Sequence, residues 1–188
     1  MKTLRNLFLL LSISWLTLSS SLVFAQYHGG ESITFEGFAL GQDFNLPACA
    51  PSEETTTTSC QTALDEETFQ QHTIQNYRVQ LGTQLSDHLS SIKYISVSTL
   101  DGKVARVTII TAGLSQQERI FATLQERLDD PDDYFVISEQ NTDTFPHYAL
   151  GSIAAIWVTR DGQISFSGEI KPQGYGIITM HAKELLVK

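Results

Sequence analysis

The plainest signal along the chain is a change of hydrophobic period between residues 92 and 128. IKYISVSTL alternates apolar and polar side chains, and KVARVTIIT behind it does much the same. Alternation with a period of two marks a strand with one buried face. Asp101-Gly102 separates the runs, and this pair accepts the positive φ of a tight hairpin turn. LSQQERIFATLQERL then shifts to helical spacing, with Phe121, Leu124 and Leu128 on one stripe and Ile120 beside it. Gln116, Gln117, Arg119, Gln125, Glu126 and Arg127 are expected to face water. Ser115 and Glu118 have the spacing of a capping box. The pattern predicts a helix over 115–128, ending ahead of Pro131, which forbids its continuation.

Weaker patterns flank this unit. SITFEGFAL, residues 32–40, predicts a first strand ending at Gly41. Leu64 and Phe69 with Asp65-Glu66-Glu67 suit a short helix over 64–71, because acidic side chains favour a helix N-terminus. YRVQL at 77–81 alternates as a strand, and Leu85 and Leu89 suit one helical turn. YFVIS at 134–138 predicts another strand, and Asn141 begins a loop that runs to Leu150. Asp161-Gly162 is expected to turn a second hairpin within SIAAIWVTRDGQISFSGEI, and YGIITMHA returns as a third strand. One strong helix among so many strands predicts an α+β fold. Its antiparallel sheet of hairpins and meander would carry the 115–128 helix on one face.

The N-terminus changes the setting. Lys2 and Arg5 precede a largely apolar, Ser-rich run over 7–23, and Val23-Phe24-Ala25 resembles a cleavage site. This is the pattern of a secretory signal peptide. The run is too short and too rich in serine for a span of about 20 residues. The expected organisation is a leader over 1–25, then a single α+β domain over 26–188 with a disulfide-clipped loop over 45–62. Such a product is exported to the periplasm or the extracellular space.

Charge narrows the partners. The chain has 12 Lys+Arg and 21 Asp+Glu; losing Lys2 and Arg5 leaves 10 against 21, a formal charge of −11. Such a surface repels phosphate backbones and anionic membranes, which argues against nucleic-acid binding and membrane insertion after leader removal. It attracts cationic proteins. In an oxidising compartment the only two cysteines, Cys49 and Cys60, are expected to pair. Ten residues lie between them, and redox dithiols usually have about two. A structural disulfide follows, contributing about 3 kcal/mol in the chain-entropy account.

The order of these features is similar to that of small exported bacterial proteins of unknown function. They open with a segment like Phe35-Glu36-Gly37-Phe38-Ala39-Leu40-Gly41, continue with a cysteine pair, a hairpin and an amphipathic helix, and close on a strand meander bearing a residue like Trp157. Their K-Y-G-x-P helix end is replaced here by Leu128-Asp129-Asp130-Pro131. The resemblance implies a periplasmic α+β domain without an assigned activity, and it carries over no functional residue.

Local chemistry is sparse. No G-x-S-x-G, H-E-x-x-H or C-x-x-C motif occurs, and no cofactor motif is present. Asp129, Asp130, Asp132 and Asp133 follow the helix C-terminus, where the dipole disfavours negative charge, which hints at a cationic partner. Tyr148, beside Pro146 and His147, is a candidate binding aromatic. A mature N-terminus Gln26-Tyr27-His28 offers the nitrogen donors of a square-planar Cu(II) site. The leading expectation is a non-enzymatic domain that acts by binding, as inhibitor or adaptor for a cationic protein such as a lysozyme-type enzyme. The alternatives are a hydrolase with a spatially assembled site and an envelope subunit that self-associates through a sheet edge.

Overall fold

The computed structural model describes residues 34–35, 38–50, 58–69, 71–82 and 92–183. The expected leader, Gln26-Tyr27-His28 and the turn around Leu85 and Leu89 lie outside the described residues. β1 (Thr34–Phe35) and β2 (Phe38–Ala39) form a small hairpin where one longer strand was expected. The remaining strands are β3 (Cys60–Phe69), β4 (His72–Gln80), β5 (Ile92–Leu100), β6 (Lys103–Thr111), β7 (Asp133–Val136), β8 (Ile153–Val158), β9 (Gly162–Ile170) and β10 (Tyr175–Ala182). They make one eight-stranded sheet in the order β3-β4-β5-β6-β10-β9-β8-β7, with every neighbouring pair antiparallel. One α-helix among the described residues, α1 (Gln117–Leu128), follows β6. The architecture is α+β, with the sheet dominant.

The two Asp-Gly pairs behave differently. Leu100 pairs with Lys103, so Asp101 (φ 51°) and Gly102 (φ 83°) alone make the β5–β6 turn. Positive φ at both positions gives a type I′ turn, which matches strand twist. At the other pair the expected Asp161-Gly162 turn is not found. Thr159 N donates to Gly162 O at 2.8 Å, which leaves Arg160 and Asp161 at the tip. Gly162 is a strand residue beside β10, and a Cβ there would lie 1.9 Å from the His181 carbonyl oxygen. Glycine is required by space at this position.

Two further expectations are corrected. The segment read as a helix over 64–71 is strand β3 as far as Phe69. A bulge between Ala63 and Asp65 inserts Leu64 and shifts the alternation, so the apolar spacing lost its period of two. The helix starts at Gln117, after a 3₁₀ turn over Gly113–Ser115, and no side chain caps it. Ser115 Oγ donates instead to the Ala112 carbonyl at 3.2 Å, so the capping box does not form. Gln117 does not face water and is only 7% exposed. Its Nε2 donates to Gly151 O at 2.8 Å, and its Oε1 accepts from Ile153 N at 3.0 Å. Those backbone groups lie at the start of β8, and an unpaired buried backbone group costs about 1–3 kcal/mol.

One sheet face forms the core. Val97, Val107, Ile109, Trp157, Ile164, Phe166, Ile178 and Met180 pack there with Leu124 of α1. Phe121 stacks on Phe166 at 6.1 Å between ring centres and also meets Trp157 and Tyr134. Trp157 Nε1 donates to the Asp129 carbonyl at 3.0 Å, which satisfies the buried indole. The β5–β6 end of the same face is covered by Phe38, Leu40, Phe44 and Leu46. Gly41 N donates to Val104 O at 2.8 Å, and Phe44 N donates to Gly102 O at 3.1 Å, which fixes that covering segment. Each large apolar side chain fully buried here contributes about 1.5–3 kcal/mol.

Candidate functional site

The sheet order makes β3 an outer strand, and its sequence makes that edge acidic. Residues 62–68 of β3 are all exposed, Asp65, Glu66 and Glu67 among them. None of these three carboxylates is ion-paired among the described residues. Among the described residues, the outer side of β3 meets a neighbour only at its beginning. Cys49 N donates to Gln61 O at 2.9 Å, Gln61 N donates to Pro47 O at 2.8 Å, and Ala48 bridges Gln61 in parallel. Beyond Gln61, no described segment pairs with that edge. An unpaired edge is a template for another strand, while bulges and like charges along it deter self-pairing. The Leu64 bulge and the carboxylates supply both deterrents. They leave open pairing with a chain of opposite charge.

The expected disulfide is present. Cys49 and Cys60 are joined with their Cα atoms 4.9 Å apart. Cys60 is buried, so the bond fastens the 47–49 segment to the start of β3. Ser59 adds a link by accepting from Gly82 N at 3.0 Å. The loop interior over 51–57 lies outside the described residues.

A histidine–carboxylate pair stands at the far end of the same region. His72 Nδ1 and Asp101 Oδ2 are 2.6 Å apart, and Asp101 Oδ1 accepts from Thr73 N at 3.0 Å. The hydrogen bond from His72 first, then that from Thr73, holds the Asp101 carboxyl below the ordinary value of 3.8. Both side chains are about half exposed, at 52% and 54%, on neighbouring hairpin turns. The pair ties the β3–β4 tip to the β5–β6 tip. A hydrolytic site calls for such a dyad inside a concave, water-poor pocket.

The sequence candidates elsewhere are mostly engaged locally. Asp129 ends α1 with φ 62° and gives its carbonyl to Trp157. Asp130 Oδ1 accepts from Gln125 Nε2 at 3.2 Å. Asp132 Oδ2 accepts from Val158 N at 2.5 Å, lengthening the contact between β7 and β8, and Asp133 begins β7. Tyr148 is half-buried, bridges Ile170, and meets Phe145 edge-on at 6.1 Å; Phe145 stacks on Phe135 at 4.5 Å. Among the described residues, no three His, Cys, Asp or Glu side chains gather as a metal site. The structure engages Asp129, Asp130 and Asp132 with different local partners, starts β7 at Asp133, and holds Tyr148 in a separate aromatic cluster.

The sheet face opposite the core has a different chemistry. Ser96, Thr108, Thr179 and Ser165 lie side by side across β5, β6, β10 and β9, followed in the next row by Ser98, Arg106, His181 and Gln163. Arg106 Nε donates to His181 Nδ1 at 3.3 Å. Partial burial, then the Arg106 charge, lowers the His181 pKa below 6.5. Among the described residues no helix lies across this face, since α1 packs on the other.

Sequence reasoning noted the 65–67 acidic run but placed it at a helix start. Only the strand order puts it on an edge, and no local pattern reports strand order. Comparison with protein-family models, curated proteins and solved structures finds no match to this chain.

Proposed function

We propose that this protein is an exported, non-enzymatic domain that acts by binding, with the acidic edge of β3 receiving a cationic partner. The observation that carries the proposal is the run of exposed residues 62–68 with three carboxylates that, among the described residues, have no ion-pair partner, on a strand edge that no described segment covers. Strand addition supplies main-chain hydrogen bonds, and opposite charge supplies partner choice and a fast encounter. A lysozyme-type enzyme is a suitable cationic partner outside the cytoplasm. The test is calorimetric titration of such an enzyme, at low ionic strength, into the mature chain and its D65N/E66Q/E67Q variant. The account expects binding by the parent and at least tenfold weaker binding by the variant, with thermal melting unchanged. Equal binding by both proteins would remove β3 as the site.

Self-association through β7 is the second reading, and a specific observation favours it. Tyr134 and Val136 are 57% and 49% exposed on this other edge, and Leu150 is exposed just ahead of the neighbouring strand β8. Exposed apolar side chains on an edge strand favour pairing with a second copy. Light-scattering mass across a dilution series tests it. A dimer that V136K dissociates supports this reading, and a constant monomer mass rejects it.

A further inference from the structure

A cleft of about 500 Å³ lies where the ends of β4 and β5 meet. Among the described residues its lining carries Arg78 and Lys93 and no carboxylate, although the chain has 21 acidic residues. The Arg78 guanidinium carbon lies 5.4 Å from the centre of the Tyr94 ring. Stacking of that kind orients the planar fork of an arginine and leaves its N–H groups free to point at a ligand. Neither cation has an acidic partner among the described residues. Leu81 and Ile92 supply an apolar wall that continues toward the core. The volume falls within the range of about 300–1,000 Å³ that small-molecule sites occupy.

We infer that this cleft binds a small amphipathic anion, with a carboxylate or phosphate head held by Arg78 and Lys93 and an apolar body against Leu81, Ile92 and Tyr94. Charge complementarity selects the head. Two cations lining one cleft, without an acidic partner among the described residues, are complementary to an anion bound between them. Arginine binds carboxylate and phosphate oxygens in a bidentate manner, which gives direction as well as attraction. The apolar wall selects the body, because a hydrated inorganic ion gains nothing from it. This site is separate from the acidic residues of β3 and does not depend on the reading given for that edge.

The experiment titrates octanoate, octyl phosphate, octanol and inorganic phosphate into the mature chain, followed by calorimetry and by amide shifts in the NMR spectrum. The inference expects saturable binding of octanoate or octyl phosphate, with shifts centred on Arg78, Lys93 and Tyr94. The tighter of the two identifies the head as carboxylate or phosphate. Octanol and inorganic phosphate should each bind at least tenfold more weakly. R78Q and K93Q change exposed side chains and are expected to keep the parent melting temperature while weakening the anion about tenfold or more. Octanol binding as tightly as octanoate, or R78Q and K93Q binding like the parent, would overturn the inference. So would the absence of saturable binding by either amphipathic anion.

Discussion

The two edges of the sheet are held in opposite ways. β7 has four residues, and packing secures it: Tyr134 meets Phe121, Asp132 accepts from Val158 N, and the neighbouring strand carries buried Trp157. β3 has ten residues and pairs with β4 along its length; a disulfide fastens its start, and the His72–Asp101 pair ties the neighbouring strand β4 to the β5–β6 turn. The short edge depends on the core. The long edge projects carboxylates into water and is held by its ladder with β4 and by the disulfide, with residues 62–68 exposed. The exposed surface of β3 adds nothing to the core and is free to vary, which is why β3 is the edge proposed to bind a partner.

Removing packing should cost most. Trp157→Ala deletes a fully buried side chain and its hydrogen bond to Asp129, for an expected loss of about 3–5 kcal/mol. Urea unfolding measures it, and a loss under about 1 kcal/mol would mean that the β7 side is not packed as described. Breaking the covalent link at the other edge comes next. A C49S/C60S pair of substitutions should cost about 2–4 kcal/mol, read as the same urea shift. It should also raise amide exchange at position 60 and at Gln61 well above that at Phe166. Equal exchange at both places would show that the bond does not fasten β3.

Smaller effects separate the two edges further. Asp132→Ala frees Val158 N and should cost about 1 kcal/mol, with faster exchange confined to β7 and β8. The His72–Asp101 link should respond to acid. The Asp101 pKa is depressed in the folded chain, so the stability it contributes is complete above 3.8 and is lost as pH falls through the lowered value. In a carboxyl-detected NMR titration, His72→Gln should return Asp101 toward 3.8. An unmoved midpoint would deny the link. Neutralising Asp65, Glu66 and Glu67 should leave stability within about 0.5 kcal/mol, because exposed surface substitutions usually do.

Much of the fold was legible where local chemistry and final environment agree. The Asp101-Gly102 turn was readable because positive φ is a local demand. The stripe of Phe121, Leu124 and Leu128 was readable because one helix face meets one core. The cysteine pairing was readable because only two cysteines exist. Failures came where the environment is set from afar. β3 looked helical because an edge strand with both faces in water has no reason to alternate, and the Leu64 bulge shifts what alternation remains. Gln117 looked like a surface residue because its partners, Gly151 and Ile153, lie more than thirty residues away. Gly162 looked like a turn residue because the His181 carbonyl that excludes a side chain arrives with β10. The acidic edge and the cationic cleft share this difficulty: each depends on which strand lies beside which.

Salt dependence tests the central claim most directly. From about 0.01 M to about 0.15 M ionic strength the Debye length contracts from about 30 Å to about 8 Å. Binding of a lysozyme-type enzyme to the parent chain should weaken at least tenfold over that range, while the D65N/E66Q/E67Q variant should bind weakly at both. An affinity that stays the same at both salt concentrations would contradict an acidic strand edge as the docking site.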